Sequence, residues 1–155
     1  MGPSRAVADS PPVTAPSPGR PAARGQWPVV CAVSLGGGIG AAVRYGAGLL
    51  WPTAQGAFPW TTFLINIVGC ALIGALLVVI ADLAAPHRLL RPFLGTGVLG
   101  GFTTFSTYAV DIRNLVDGGH AATALACLAG TLLAAMAAVW AAARLTRTFL
   151  RRRAR

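Results

Sequence analysis

The feature that most constrains this fold is a series of four apolar stretches, each about 20 residues long. A helix of about 20 apolar residues is long enough to span the hydrocarbon core of a bilayer. Charged residues make up only 11% of the chain, against about a quarter in ordinary soluble domains. The sequence therefore predicts an all-α membrane protein with four transmembrane helices, at about residues 28–51, 60–82, 89–114 and 120–144.

Both ends of the chain are polar, which limits the transmembrane domain to residues 27–146. Residues 1–26 are rich in proline, serine and glycine and have no apolar core that could act as a secretory signal, so we predict a disordered cytoplasmic tail. Residues 147–155 form a basic tail directly after a hydrophobic helix. A nucleic-acid-binding arm would need stacking aromatics or a folded basic face. We therefore expect this tail to contact anionic membrane lipid and no nucleic acid.

The arginines predict the orientation of the chain, since all 13 basic residues are arginine. Three lie in the amino-terminal tail, two around the second loop and six near the carboxyl end, whereas the third connection has only Arg113 and the first has none. Because positive residues collect on the cytoplasmic side of membrane proteins, both termini are predicted to be cytoplasmic.

Two classes of membrane protein are disfavoured by the side chains that the sequence lacks. The chain has no glutamate, and the sequence places its four aspartates in the tail or near helix ends, whereas a proton-coupled small multidrug exporter needs a carboxylate within the membrane. His87 and His120 lie in predicted loops, and the three cysteines fall in separate apolar stretches. The chain is therefore predicted not to be an enzyme, with neither a disulfide framework nor a metal cluster.

Asn66 lies midway along the second apolar stretch, where a polar side chain is costly and suggests a function. Its amide can donate two hydrogen bonds to an anion that has lost its water. It can equally form an interhelical hydrogen bond, which is worth about 1 kcal/mol in membranes. The sequence leaves both interpretations open.

Arg44 lies about two turns before the end of the first helix. Its guanidinium can extend outward to lipid headgroups, or it can stand in a hydrated vestibule and raise the local concentration of anions. The glycines before it include the pair Gly36 and Gly40, four residues apart, which predicts close helix packing. They do not form a phosphate-binding loop, since no Gly-Lys-Ser/Thr follows.

The third apolar stretch is predicted to be broken in the middle of the membrane. It contains four glycines between Gly95 and Gly101, followed by Phe102–Tyr108 with its closely spaced threonines and serine. Glycine weakens a helix, and irregular backbone at membrane depth persists only where protein or water covers it. Where helical bonding lapses, around Gly100 and Thr103, backbone carbonyls become free to coordinate a cation such as sodium.

Phe105 and Tyr108, three residues apart on one helical face, can border an anion with their electropositive ring edges. Ser106 and Thr107 add hydroxyl donors to the same segment. The fourth helix contributes a weaker polar line at a spacing of four, formed by Thr123, Cys127 and Thr131. Simple core packing, with hydroxyls bonded back to the helix, is the alternative. A purely structural subunit would leave Asn66 and the hydroxyl-rich run unexplained.

Three motifs together resemble the CrcB/Fluc fluoride channels. They are GVLGGFTTFSTY at residues 97–108, GxxGAxxRY at 37–45 and NIVG at 66–69, in the order and spacing of that family. The resemblance covers about residues 30–145.

The resemblance implies a double-barrelled antiparallel dimer through which fluoride leaks passively out of the cell, lowering cytoplasmic fluoride and its toxicity. It implies a structural, non-transported sodium ion at the dimer axis, held by the backbone carbonyls of Gly100 and Thr103. It also assigns Phe105 and Tyr108 as the rings that flank fluoride, and Asn66 as the pore asparagine.

The sequence departs from the family pattern at Tyr108, where a phenylalanine is usual, and along the fourth helix, whose polar line is reduced. The dimer itself is in tension with the charges, since eleven of the 13 arginines favour one orientation. We therefore hypothesise, beside a homodimer, an antiparallel heterodimer with an oppositely oriented homologous subunit. Robust fluoride flux from this chain expressed alone would refute the heterodimer.

Overall fold

The computed structural model describes residues 25–83 and 85–153, so residues 1–24 of the predicted disordered tail lie outside the described part. Within these ranges the chain forms helices joined by short connections and contains no β-strand, which confirms the all-α prediction there. In chain order the elements are α1 (Trp27–Leu50), α2 (Trp60–Asp82), a π-helix that we name π1 (Arg91–Leu99), α3 (Gly100–Phe102), α4 (Phe105–Asp117) and α5 (Ala121–Arg153).

Three of the described helices are long and apolar enough to cross a membrane, namely α1, α2 and α5. The third predicted crossing is instead divided among π1, α3 and α4, each of which is too short to cross alone. The nine residues of π1 are a long run for this rare helix type. No feature of the sequence predicts a π-helix at this position.

Glycines bring α1 into backbone contact with the third segment. A Cβ atom at Gly36 would lie 2.5 Å from the carbonyl oxygen of Phe93, and one at Gly40 would overlap the carbonyl oxygen of Val98. Only glycine permits such an approach, which explains the Gly36 and Gly40 pair in physical terms.

α2 packs against α5 in the most extensive contact between any two elements. The two helices run parallel, since the connections before them line one cavity together and residues near their other ends, including Asp82 and Arg147, line a second one. At Gly74 the backbones touch, because a Cβ atom there would lie 2.5 Å from the carbonyl oxygen of Val139.

The third segment leaves helical geometry at Thr103 and Thr104. Their backbone angles are φ −70°, ψ 156° and φ −147°, ψ 124°, both extended. Helix resumes at Phe105, and the Thr104 hydroxyl caps α4 by accepting a hydrogen bond from the N–H of Thr107 at 3.1 Å. A threonine side chain at this position satisfies a donor that has no helical partner.

The fourth crossing is longer than predicted, because α5 continues to Arg153 where the sequence suggested an end near residue 144. The predicted basic tail is therefore helical as far as Arg153, and residues 154–155 lie outside the described part. No helix-breaking glycine or proline follows residue 144, and arginine and leucine are good helix formers. The Thr146 and Thr148 hydroxyls also donate to carbonyls one turn earlier, at 2.8 and 2.9 Å.

Candidate functional site

Asn66 on α2 is buried and pairs with both backbone polar groups of Thr104 at the interruption between α3 and α4. Its Nδ2 donates to the Thr104 carbonyl oxygen at 3.0 Å, and the Thr104 N–H donates to its Oδ1 at 2.8 Å. The interhelical hydrogen bond considered as an alternative is therefore present. Because the amide nitrogen carries two hydrogens, one donor remains for a ligand.

The interruption frees the two carbonyl oxygens that the sequence singled out. In a regular helix the N–H of Thr104 would donate to Gly100, and the N–H of Thr107 to Thr103. Here the Thr104 N–H donates to Asn66 and the Thr107 N–H to the Thr104 hydroxyl. The carbonyl oxygens of Gly100 and Thr103 thus lose their helical donors, and such oxygens are the ligands that hard cations prefer.

Arg44 contacts both sides of the interruption. Its Nε donates to the carbonyl oxygen of Gly101 at 3.2 Å, and its Nη1 lies 3.5 Å from the Thr107 hydroxyl. The residue is half-buried. The guanidinium therefore lies beside the broken segment, with its positive charge close to the hydroxyls.

The hydroxyls of the segment form a connected cluster around Thr104. Its Oγ1 lies 3.3 Å from Ser106 Oγ and 3.1 Å from Thr107 Oγ1. The Thr103 hydroxyl is not part of this cluster, because it donates to the Leu99 carbonyl oxygen at 2.9 Å, on the amino-terminal side of the interruption. The cluster places rotatable O–H donors within one helical turn of Phe105 and Tyr108.

The two predicted pathway rings have different surroundings. Their centroids are 5.8 Å apart with an interplanar angle of 51°. Phe105 is 80% exposed, whereas Tyr108 is 9% exposed and its hydroxyl donates to the Leu128 carbonyl oxygen at 2.8 Å. The tyrosine hydroxyl, which departs from the family pattern, therefore ties α4 to α5.

The predicted polar line on α5 faces inward in part. Cys127 is almost completely buried and Thr131 is 5% exposed, while Thr123 is half-buried. Cys127 packs in an apolar cluster with Tyr108 and Leu115. The hydroxyl oxygen of Thr131 is buried and has no hydrogen-bond partner among the described residues.

The sequence interpretation placed Asp111 near the end of the third predicted helix, at residues 89–114, whereas the structure places it six residues before the end of α4. It lies inside α4, and its Oδ2 accepts a 2.6 Å hydrogen bond from the Thr62 hydroxyl of α2. The spacing of the polar residues could have indicated this contact. Asp111 follows Tyr108 by three residues and Thr62 precedes Asn66 by four, so each lies on the same helix face as a nominated pathway residue. A second polar contact between α2 and α4 therefore lies about one turn from the Asn66 pair.

A cavity of about 590 Å³ opens at the end of the bundle where α1 ends and α5 begins. Asp111 and Pro59 lie on its wall, together with the first loop and the connection between α4 and α5. At this end Asp117 forms an exposed ion pair with Arg113 at 3.5 Å. The cavity gives solvent a route to the Thr62 and Asp111 contact.

Comparison with known proteins gives one family. The family described as "CrcB-like protein, Camphor Resistance (CrcB)" matches residues 31–143. Fluoride-specific ion channel FluC 2 of Streptomyces avermitilis is 67% identical over 120 residues, covering 77% of this chain and 76% of that protein. FluC 1 of Streptomyces coelicolor is 59% identical over 139 residues, covering 90% of each chain. FluC 2 of Thermobifida fusca is 48% identical over 130 residues, covering 83% and 95%.

The matched region runs from α1 through most of α5 and contains every pathway residue that the sequence nominated. It therefore includes the Asn66 pair, Arg44 and the interruption at Thr103 and Thr104. The family resemblance of the three motifs is confirmed: this chain is a membrane protein and belongs to the CrcB family.

Proposed function

We propose that this protein is a fluoride-specific ion channel that lets fluoride leave the cell passively and so lowers its cytoplasmic toxicity. Relatives that are 48–67% identical are named fluoride-specific ion channels, which describes channels and not enzymes. The observation that carries the proposal is the arrangement at the interruption, where the Asn66 amide, the Thr104 hydroxyl cluster and the aromatic pair lie together.

The pathway runs past donors that replace the water lost by fluoride. The second N–H of Asn66 and the hydroxyls of Ser106 and Thr107 donate to the ion, while the ring edges of Phe105 and Tyr108 border it. Arg44 raises the local concentration of anions, because its guanidinium stands half-buried at the same segment. Asn66, Ser106 and Thr107 are uncharged donors, and conduction requires that the ion be bound weakly enough to leave again.

A second subunit completes the pathway. Phe105 is 80% exposed on the single chain, so the face that carries the aromatic pair is open on one side. An antiparallel partner would cover this face and bring a second copy of the interruption against the first, midway across the bilayer. The distribution of arginines favours cytoplasmic termini for this chain, which makes an oppositely oriented homologue a candidate partner besides a second copy.

Sodium fits the same dimer as a structural ion. The Gly100 and Thr103 carbonyl oxygens lack their helical donors, and carbonyl oxygens of this kind suit a hard monovalent cation. Two subunits would each contribute this pair. The ion would supply positive charge that holds the two interruptions together, and it would not be transported.

A proton-coupled exporter is a second candidate, because Asp111 lies inside α4 and bonds to Thr62, contrary to the sequence interpretation. A carboxylate within a transmembrane bundle is the side chain that such transport uses. The two candidates differ in their energy source, since a channel moves fluoride down its gradient with no pH difference.

The decisive experiment is fluoride efflux from proteoliposomes loaded with fluoride or chloride at equal pH inside and outside. We expect fluoride flux, little chloride flux, and strong impairment in Asn66→Asp and Phe105→Ile. Phe149→Ile is the matched control, because Phe149 is an exposed ring near the carboxyl end of α5, far along the chain from the site. Equal chloride flux, or flux that requires a pH gradient, would refute the channel.

A further inference from the structure

A groove between α2 and α5 lies near the carboxyl ends of both helices. We name it the α2–α5 groove, and its volume is about 480 Å³. Apolar side chains such as Leu77, Val78 and Val139 line most of its wall, and Arg147 and Arg151 lie at its far end. It begins where the two backbones touch at Gly74. One end of the groove is thus apolar and the other cationic.

The length of α5 places the cationic end of the groove at the level of lipid headgroups. With Trp140 at the edge of the hydrocarbon core, Arg147 lies about 10.5 Å and Arg151 about 16.5 Å further along the helix at 1.5 Å per residue. The headgroup region on each side of the core is about 5–7 Å thick. Because a helical side chain tilts toward the amino end, the guanidinium of Arg147 reaches the headgroups and that of Arg151 lies near their outer edge. Trp140 is exposed and carries Arg144 over its ring at 4.6 Å, as expected of an interfacial anchor.

The charge of the groove favours an anion. Arg147 and Arg151 supply two guanidiniums, and the one carboxylate that lines the groove with them is Asp82. Among the described residues neither arginine forms an ion pair, so their charges remain available. Guanidinium groups bind phosphate oxygens with directed hydrogen bonds.

We propose that the α2–α5 groove binds one anionic phospholipid. Its phosphate lies against Arg147 and Arg151, and an acyl chain follows the apolar wall toward Gly74. A groove with an apolar wall that ends in two cationic groups near the headgroups matches that ligand in shape and in charge. The proposal rests only on the membrane location of the chain and does not depend on fluoride conduction.

The test measures lipid binding to the full chain in detergent. Phosphatidylglycerol and phosphatidylcholine with the same acyl chains are titrated, and bound lipid is counted by native mass spectrometry. We expect a phosphatidylglycerol adduct that is about 30-fold weaker in the double variant Arg147→Gln, Arg151→Gln, because each arginine contributes about 1 kcal/mol near an anionic headgroup.

Two further variants separate the groove from general basicity. The pair Arg152→Gln, Arg153→Gln removes the same charge from positions that do not line the groove. It should keep the wild-type affinity to within about threefold, because neither side chain lines the groove and only the general charge of the helix end is reduced. Ala143→Leu keeps both groove arginines but fills the groove, so it should weaken binding of the phospholipid.

Three results would overturn the proposal. They are equal binding of phosphatidylcholine, equal losses in the two arginine pairs, and displacement of the lipid by inorganic phosphate at the same concentration. The last would indicate a site for a soluble anion. Since the measurement is lipid binding, failure of fluoride flux leaves this proposal standing, and failure of lipid binding leaves the channel standing.

Discussion

Replacing Asn66 with leucine tests whether the interruption is stabilised from α2. The substitution keeps the number and branching of the side-chain heavy atoms but removes both hydrogen bonds to Thr104, at 3.0 and 2.8 Å. Thr104 is only 9% exposed, so its N–H and carbonyl would be left without protein partners. A hydrogen bond within a membrane protein contributes about 0.6–1.7 kcal/mol. Two such bonds give an expected destabilisation of about 2 kcal/mol.

The readout is hydrogen exchange of the segment that contains Thr104, together with the thermal unfolding midpoint in detergent. A loss of about 2 kcal/mol corresponds to roughly 30-fold faster exchange if the segment opens locally. Thr62→Val is the matched control, because it removes one hydrogen bond between α2 and Asp111 and leaves the Asn66 pair intact. Unchanged exchange in Asn66→Leu, or equal acceleration in the control, would refute the assigned role of Asn66.

Two further substitutions probe the packing around the site. Tyr108→Phe should lower the free energy of unfolding by about 1 kcal/mol, since it removes only the hydrogen bond to the Leu128 carbonyl, which keeps its helical partner. Fluoride flux should remain, and a loss of flux would contradict this limited role of the hydroxyl. Gly40→Ala should lower the free energy of unfolding by about 1–3 kcal/mol, because the new Cβ meets the carbonyl oxygen of Val98. Gly48→Ala is the control and should be neutral or stabilising, because nothing lies within 4 Å of a Cβ atom at that position. Equal unfolding midpoints for the two alanine variants would contradict the close approach of α1.

Much of the helical framework follows from local sequence. α2 runs Trp60–Asp82, preceded by Pro59 and followed by a polar connection, and its residues are almost uniformly apolar. Gly36 and Gly40 also indicated close packing without specifying its partner. Such features depend on apolar length and on residue size, which a sequence states directly.

The connections between distant residues could not be predicted in the same way. Asn66 pairs with Thr104 across 38 positions, and Arg44 reaches Gly101 across 57. The sequence marked these residues as costly in a membrane, but their partners depend on how α1, α2 and the third segment pack. Asp111 was predicted to lie near a helix end, and its bond to Thr62 could not be predicted because that contact exists only in the packed bundle.

The donors and the freed acceptors of the site have a common origin. The Asn66 amide and the Thr104 hydroxyl each take an N–H that would otherwise close a helical turn. Each diversion has two effects: it fixes a polar side chain at the interruption, and it frees a carbonyl oxygen at Gly100 or Thr103. The proposed anion donors and the proposed sodium ligands are therefore coupled, and a substitution that restores helical bonding at Thr104 would remove a cation ligand as it reorients the pore asparagine. Asn66→Leu removes the pore amide and the acceptor that holds the Thr104 N–H away from Gly100, so fluoride conduction and sodium-dependent dimer stability should fail together in this variant.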